Sequence, residues 1–101
     1  MQGEIWLVAQ PDDKVRPHLV LTRDRAIPVL HAVVAAPLTR TVRGISTEVV
    51  LGASDGVAVE CVATFDNVRA VHKSQFTRRV GCLAPGRWHE VCAALAASID
   101  C

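Results

Sequence analysis

Turn-forming residues divide most of this sequence into short runs rich in Val, Ile, Leu and aromatic residues, and this division strongly constrains the fold. The first run, EIWLVA from Glu4 to Ala9, ends at Pro11 and two aspartates. The second, PHLVLT, begins at Pro17, which we expect to open its strand. Runs of this composition bounded by Pro, Gly, Asp and Ser are typical of β-strands. The sequence therefore predicts a protein built mainly from short antiparallel strands.

Later runs continue the pattern. VLHAVVAAPL is apolar almost throughout, which predicts a strand buried on both faces. Four more runs predict strands, and KSQF predicts a single helical turn. The strand runs are STEVVLG, VAVECVA, DNVRAVH and RRVGCL.

The last segment changes from a strand period to a helix period. Its apolar residues recur at helical spacing after Pro85 and Gly86, which mark the entry to an amphipathic helix. They are Trp88, Val91, Cys92, Leu95, Ala96 and Ile99. We predict a mainly β fold with a C-terminal helix, in which the strands form a small antiparallel barrel. With 101 residues, one domain spanning 1–101 is expected.

The charged residues suggest one positive face on a nearly neutral protein. Net charge is +1, but nine of the eleven basic residues are Arg, the side chain suited to bidentate phosphate contacts. No acidic residue lies between Asp24 and Glu48, whereas Arg25, Arg40 and Arg43 do. Three solvated loop arginines are the alternative. No apolar run approaches the roughly 20 residues that span a bilayer, and no signal-peptide pattern is present, so we expect a cytoplasmic protein.

The cysteines and acids do not form a metal-binding pattern. The cysteines are Cys61, Cys82, Cys92 and Cys101. None forms a C-x-x-C pair, and the first three lie in apolar patterns, so we expect those three to be small buried side chains rather than zinc ligands or disulfides. Asp12 and Asp13 are adjacent in a turn-type segment, which favours a turn cap. We expect no metal and no cofactor.

Arg16 and Thr39 are candidates for phosphate chemistry. Arg16 precedes Pro17, which holds the arginine backbone extended, and Thr39 follows Pro37 at the end of an apolar run. If the second and third strands are antiparallel neighbours, both residues lie at the same end of the sheet. The alternatives are an ordinary strand start and a turn-capping threonine. His18 is either a general acid or base or a strand residue facing a neighbour.

Several motifs together resemble the MazF (PemK-like) family of toxin–antitoxin ribonucleases. They are GEIWLV, RPHLVL, VVAAPLT, STEVVL and FDNVRAVHKSQFTRRVGCL, and they cover about residues 2–95. The resemblance implies a small SH3-like barrel of the CcdB/PemK type that acts as a homodimer. It implies a toxin that cuts single-stranded mRNA, rRNA or tRNA without metal and so inhibits translation and growth. It also implies a cognate antitoxin whose acidic, disordered tail covers the basic groove.

The same resemblance assigns roles to residues. Attack by a ribose 2′-OH on the adjacent phosphate would leave a 2′,3′-cyclic phosphate and a 5′-OH. Arg16 would stabilise charge on that phosphate, and Thr39 would fix a phosphate oxygen or the nucleophile. The expected RNA contacts are Lys14, His18, Arg40, Arg43, Asn67, Arg69 and Lys73.

The first loop departs from the family pattern. AQPDDKV is short and lacks the Ser-Glu pair that usually precedes the arginine, so Asp12, Asp13 and His18 are the acid or base candidates. Asp66-Asn67 replaces the usual Asp-Gln, which puts the RNA sequence preference in question. Two other functions are open: a gyrase-poisoning interaction protein of the CcdB kind, and an RNA-binding module without catalysis.

Overall fold

A computed structural model of the chain describes residues 1–11 and 13–100, apart from the side chain of Asp13. The strands are β1 Glu4–Gln10, β2 Asp13–Val20, β3 Ala32–Thr39, β4 Glu48–Leu51, β5 Cys61–Thr64, β6 Arg69–His72 and β7 Phe76–Cys82. Helix α1 spans Trp88–Ile99, and the turn predicted at KSQF is a 3-10 turn at Lys73–Gln75. The predicted mainly β fold with a C-terminal helix is confirmed.

The strands form one antiparallel sheet in the order β4-β5-β3-β2-β1-β7, with β6 also paired to β3. Strands β4 and β7 are the two ends of this order, so the sheet is not a closed ring within the described residues. Strand β2 begins four residues before Pro17, because pairing of Gln10 with Asp13 extends the β1–β2 hairpin. The expected start of this strand at Pro17 was therefore wrong.

Strand β3 is the centre of the sheet. It pairs with β2 along one edge, and with β6 and then β5 along the other. Strands β5 and β6 are two parts of one line, separated by the 3-10 turn Phe65–Asn67. The expected burial of β3 holds at most positions, although Val34 is 40% exposed.

The main core lies between one face of the sheet and α1. Ile5, Leu19 and Leu38 pack there with Val91 and Ala94 of the helix. A smaller cluster of Val8, Ala35, Val71 and Phe76 lies apart from this core.

The helix does not bury the whole predicted apolar stripe. Trp88 is half-buried and Val91 is buried as expected, but the buried face continues through Ala94. Cys92, Leu95, Ala96 and Ile99 are exposed. The small side chain of Ala94 occupies the side of the helix nearest the sheet, which leaves the larger Leu95 and Ile99 at the margin.

The cysteine predictions also need correction. Cys61 is buried as predicted, but Cys82 and Cys92 are exposed, and all three are free thiols. Cys82 is the last residue of β7, and Cys92 lies off the buried face of the helix. Cys101 lies outside the described residues. No helix in the described part of the chain is long and apolar enough to cross a membrane.

A buried carboxylate fastens the segment between β4 and β5 to the helix entry. Asp55 is 4% exposed and accepts hydrogen bonds from the Gly52 N–H at 3.0 Å and from Arg87 at 3.3 Å. Arg87 also donates to Glu90 at 2.8 Å. Gly81 of β7 passes so close that a Cβ there would be 2.0 Å from the Asp55 carbonyl oxygen. The loop that follows Asp55 is thereby held in place.

Candidate active site

A cleft opens where β2 and β3 separate. His18 and Pro37 are the last pair between them, after which β3 pairs only with β5. Arg16 lies two residues before His18, and Thr39 lies two residues after Pro37. Each is therefore the next residue on its own strand to face the same side. Both line one cleft of about 690 Å³, which we call the larger cleft. The expectation that they share one end of the sheet is confirmed.

The larger cleft is cationic. Its described lining contains four basic side chains and no carboxylate. They are Lys14, Arg16, Arg40 and Arg78. The loop of residues 56–59, which follows the Asp55 anchor, forms part of the wall. A groove lined by one sign of charge attracts polyanions, so this surface suits a nucleic-acid backbone.

The Thr39 hydroxyl is oriented by its own turn. Its Oγ1 accepts a hydrogen bond from the Thr41 N–H at 3.1 Å. A hydroxyl that is already accepting keeps its proton for another acceptor. Thr39 is therefore the turn cap that its sequence position suggested, and its hydroxyl proton is available for donation in the larger cleft.

A second cleft of about 490 Å³ meets the first at Arg16, and we call it the smaller cleft. Its other lining residues are Pro37, Asp66, Asn67, Val68 and Arg69. The 3-10 turn Phe65–Asn67 inserts residues between β5 and β6, and this insertion brings Asp66 and Asn67 to the cleft. Asp66 Oδ2 accepts a hydrogen bond from the Thr47 hydroxyl at 2.7 Å, which fixes the carboxylate.

His18 occupies a different environment from the other predicted RNA contacts. It is 0% exposed, so its ring offers RNA no surface. Its Nε2 lies 2.8 Å from Nη2 of Arg69, and its Nδ1 lies 3.1 Å from the carbonyl oxygen of Arg16. A guanidinium only donates, so Nε2 accepts, and Nδ1 carries the proton that goes to the carbonyl. The imidazole is therefore neutral.

The remaining predicted residues lie away from both clefts or outside the described part. Arg43 and Lys73 are exposed and line neither cleft. The loop that carries Arg43 is held by Glu48, whose carboxylate accepts a hydrogen bond from the Arg43 backbone N–H at 3.1 Å. The acid or base candidates Asp12 and the Asp13 carboxyl lie outside the described residues.

Three polar or charged side chains that line the clefts were given no site role from the sequence. Thr41 and Arg78 line the larger cleft, and Asp66 lines the smaller. The adjacent arginines of TRRV lie on opposite faces of β7 and are both exposed, so the sequence does not say which one reaches the cleft. In the structure, Arg78 lies opposite Leu7 and lines the larger cleft.

No metal-binding cluster supplements these side chains. The described residues contain no group of three or more His, Cys, Asp or Glu that could hold a metal ion. Cys61 lines the larger cleft, but burial raises the pKa of its thiol, and the nearby charge of Asp55 raises it further. A protonated thiol is a poor nucleophile, so Cys61 is a weak candidate for covalent catalysis.

The fold and the cleft together define a small, mainly β protein that presents an arginine and a threonine in a cationic groove for a polyanion. The chain belongs to the family of PemK-like, MazF-like toxins of type II toxin–antitoxin systems, whose model matches residues 1–99.

Individual relatives match nearly the whole chain in sequence and in structure. A protein of Mycobacterium tuberculosis named "Probable endoribonuclease MazF2" is 44% identical over 101 residues, which is 99% of this chain and 98% of the relative. The solved structure of the M. tuberculosis toxin MazF-mt6 superposes with a TM-score of 0.90 at 33% identity and 96% coverage of both chains. A mycobacterial endoribonuclease solved in complex with its cognate antitoxin gives a TM-score of 0.88 at 25% identity, covering 99% of this chain and 94% of that one.

Proposed function

We propose that this chain is an endoribonuclease toxin that cleaves single-stranded RNA in the larger cleft. The observation that carries the proposal is the position of Arg16 and Thr39 on either side of that cleft, among basic side chains and without a described carboxylate. Relatives named as endoribonucleases support it, because one of them matches essentially end to end.

The proposed reaction needs no metal. The 2′-oxygen of one ribose forms a bond to the adjacent phosphorus as the bond to the 5′-oxygen breaks, leaving a 2′,3′-cyclic phosphate and a 5′-OH. The Arg16 guanidinium donates hydrogen bonds to the phosphoryl oxygens, where negative charge accumulates in the transition state. The Thr39 hydroxyl donates to the same group. One proton leaves the 2′-OH and one reaches the 5′-oxygen.

Further contacts would place the strand. Lys14 and Arg40 would bind RNA phosphates in the larger cleft. Asn67 and Arg69 would bind the RNA strand in the smaller cleft. Arg43 and Lys73 would act as outlying phosphate contacts. Asp66 is the one carboxylate among the described residues that line the two clefts, which makes it a candidate to accept the 2′-OH proton.

The same charge would serve regulation in the cytoplasm. An antitoxin with an acidic disordered segment would lie along the larger cleft and exclude RNA. A solved relative bound to its cognate antitoxin supports such a partner. We propose that the active form is a homodimer, as the family resemblance implies.

Cleavage of a mixed RNA pool by the purified protein in EDTA tests this function. We expect new 5′-OH ends at a short preferred sequence, and we expect Arg16→Ala to abolish them. Arg16→Lys keeps the charge but loses the two-pronged donor, so it should recover only part of the activity. Arg25→Ala, which removes an exposed arginine outside both clefts, is the matched control and should cleave normally.

Full cleavage by Arg16→Ala would overturn the assigned site. If the wild-type protein arrests growth but produces no new 5′-OH ends in RNA, the interaction-protein alternative is favoured instead.

A further inference from the structure

The buried imidazole of His18 lies between two arginines. Because its Nδ1–H donates to the backbone of Arg16 and its Nε2 accepts from the side chain of Arg69, it connects a residue of each cleft. A buried polar group without partners is costly, so both hydrogen bonds favour one fixed orientation of the ring.

The strand register brings Arg69 to His18 across β3. His18 lies opposite Pro37, and Arg69 lies opposite Ala35. Ala35 and Pro37 are two residues apart on β3, so all four side chains are on one face of the sheet. Ala35 and Pro37 are short, which leaves a path over β3 for the arginine side chain.

Because the group that accepts from Arg69 is a neutral imidazole, the guanidinium keeps its charge. Among the described side chains, no carboxylate forms an ion pair with Arg69, and its buried Nε has no hydrogen-bond partner. A carboxylate at position 18 would orient the guanidinium and also neutralise it. A neutral imidazole orients it and leaves its full positive charge directed to the smaller cleft.

We propose that His18 is a positioning residue that holds Arg69 as a charged phosphate contact for RNA in the smaller cleft. This inference rests on the proposed function for its ligand, single-stranded RNA. It replaces direct RNA contact or proton transfer by His18 with an indirect role through Arg69.

The first test measures the histidine without RNA. In ¹⁵N NMR spectra of the folded protein, His18 should show the neutral Nδ1–H tautomer. An Nε2–H tautomer or an imidazolium at neutral pH would overturn the proposal, whether or not the protein cleaves RNA.

The second test measures the salt dependence of binding to an RNA oligonucleotide blocked by a 2′-deoxy sugar at the mapped cleavage position. Each phosphate contact in single strands contributes about 0.7 to the slope of log K against log salt concentration. His18→Leu and Arg69→Gln should each reduce the slope by about 0.7 and weaken binding roughly tenfold. The double variant should lose no more than either single one, because both remove the same contact.

Conservative variants separate orientation from packing. His18→Gln places a neutral amide oxygen near the position of Nε2 and should recover most of the slope, whereas His18→Asn, which is too short to reach Arg69, should not. His31→Leu, at an exposed histidine outside both clefts, is the control. Thermal unfolding of each variant checks that the fold is intact.

The outcomes distinguish this inference from the proposed function. A wild-type protein that cleaves RNA, with an unchanged slope in folded His18→Leu, refutes the positioning role alone. Additive losses in the double variant also refute it. A wild-type protein that binds no RNA would refute both.

Discussion

Replacing Thr39 with Val removes one hydroxyl and changes little else. Valine keeps the branched Cβ that suits a strand end, so the backbone of β3 should not move. The Thr41 N–H would lose its 3.1 Å acceptor, but Thr41 is exposed and water can take that place. The cost in unfolding free energy should therefore be at most about 1 kcal/mol.

The cost to catalysis should be larger. A hydrogen bond to a charged group contributes about 1.5–3 kcal/mol, and each 1.36 kcal/mol in the barrier changes the rate about tenfold. Thr39→Val should therefore lower kcat/KM by roughly 10- to 150-fold. Thr39→Ser keeps the donor but loses the methyl group that restricts its rotamer, so its loss should stay below about tenfold.

The assay is cleavage of a fluorescent RNA with one susceptible site, in EDTA, with thermal unfolding measured in parallel. A fall in kcat with unchanged KM would place the Thr39 hydrogen bond in the transition state, whereas a rise in KM alone would make Thr39 a binding contact. A valine variant within twofold of the wild-type kcat/KM would refute the donor role. A serine variant as slow as valine would refute the argument from the hydroxyl.

Two further predictions concern the anchor beneath the cleft. Gly81→Ala should lower the unfolding free energy by about 1–3 kcal/mol or more, because its Cβ would lie 2.0 Å from the Asp55 carbonyl oxygen. Gly86→Ala is the control, since a Cβ there would meet nothing within 4 Å, and equal urea midpoints for the two variants would contradict the close approach at Gly81. The hydrogen bond from Arg87 lowers the pKa of Glu90 below the usual 4.5, so this pair stabilises the fold above that pH and loses its effect as pH falls through the lowered value. Glu90→Gln should therefore lower the unfolding free energy at neutral pH, and the unfolding free energy of the variant should fall less steeply in acid than that of the wild-type protein. Urea-unfolding profiles of the two proteins that run parallel from pH 7 to 3 would contradict this.

Local sequence signals were sufficient to predict the strands and the helix of this fold. The turn-bounded runs correspond to the seven strands because β-branched composition and turn chemistry act within a few residues. Signals that depend on tertiary neighbours were less informative. The start of β2 before Pro17 follows from its pairing with β1, and the burial of Ala94 rather than Leu95 follows from how α1 lies on the sheet.

The candidate site divides in the same way. Arg16 and Thr39 could be selected because Arg16 directly precedes Pro17 and Thr39 ends the apolar run two residues after Pro37. The family resemblance paired them. Asp66 and Arg78 were missed because their places depend on an inserted turn and on the register of a distant strand. The role proposed for His18 could not be inferred from sequence either, since it requires knowing that Arg69 crosses β3 to reach it.

The separation of β2 from β3 explains how the proposed binding and catalytic roles both fall on Arg16. Beyond the His18–Pro37 pair, each strand keeps a partner on its other edge, so the cleft opens between two supported strands rather than at a frayed end. Arg16 stays in register with Val8 of β1 while its side chain borders both clefts. Basic side chains line the larger cleft, so its positive charge favours an external anion. RNA phosphates and an acidic antitoxin segment would therefore compete for the same groups, and salt should weaken both.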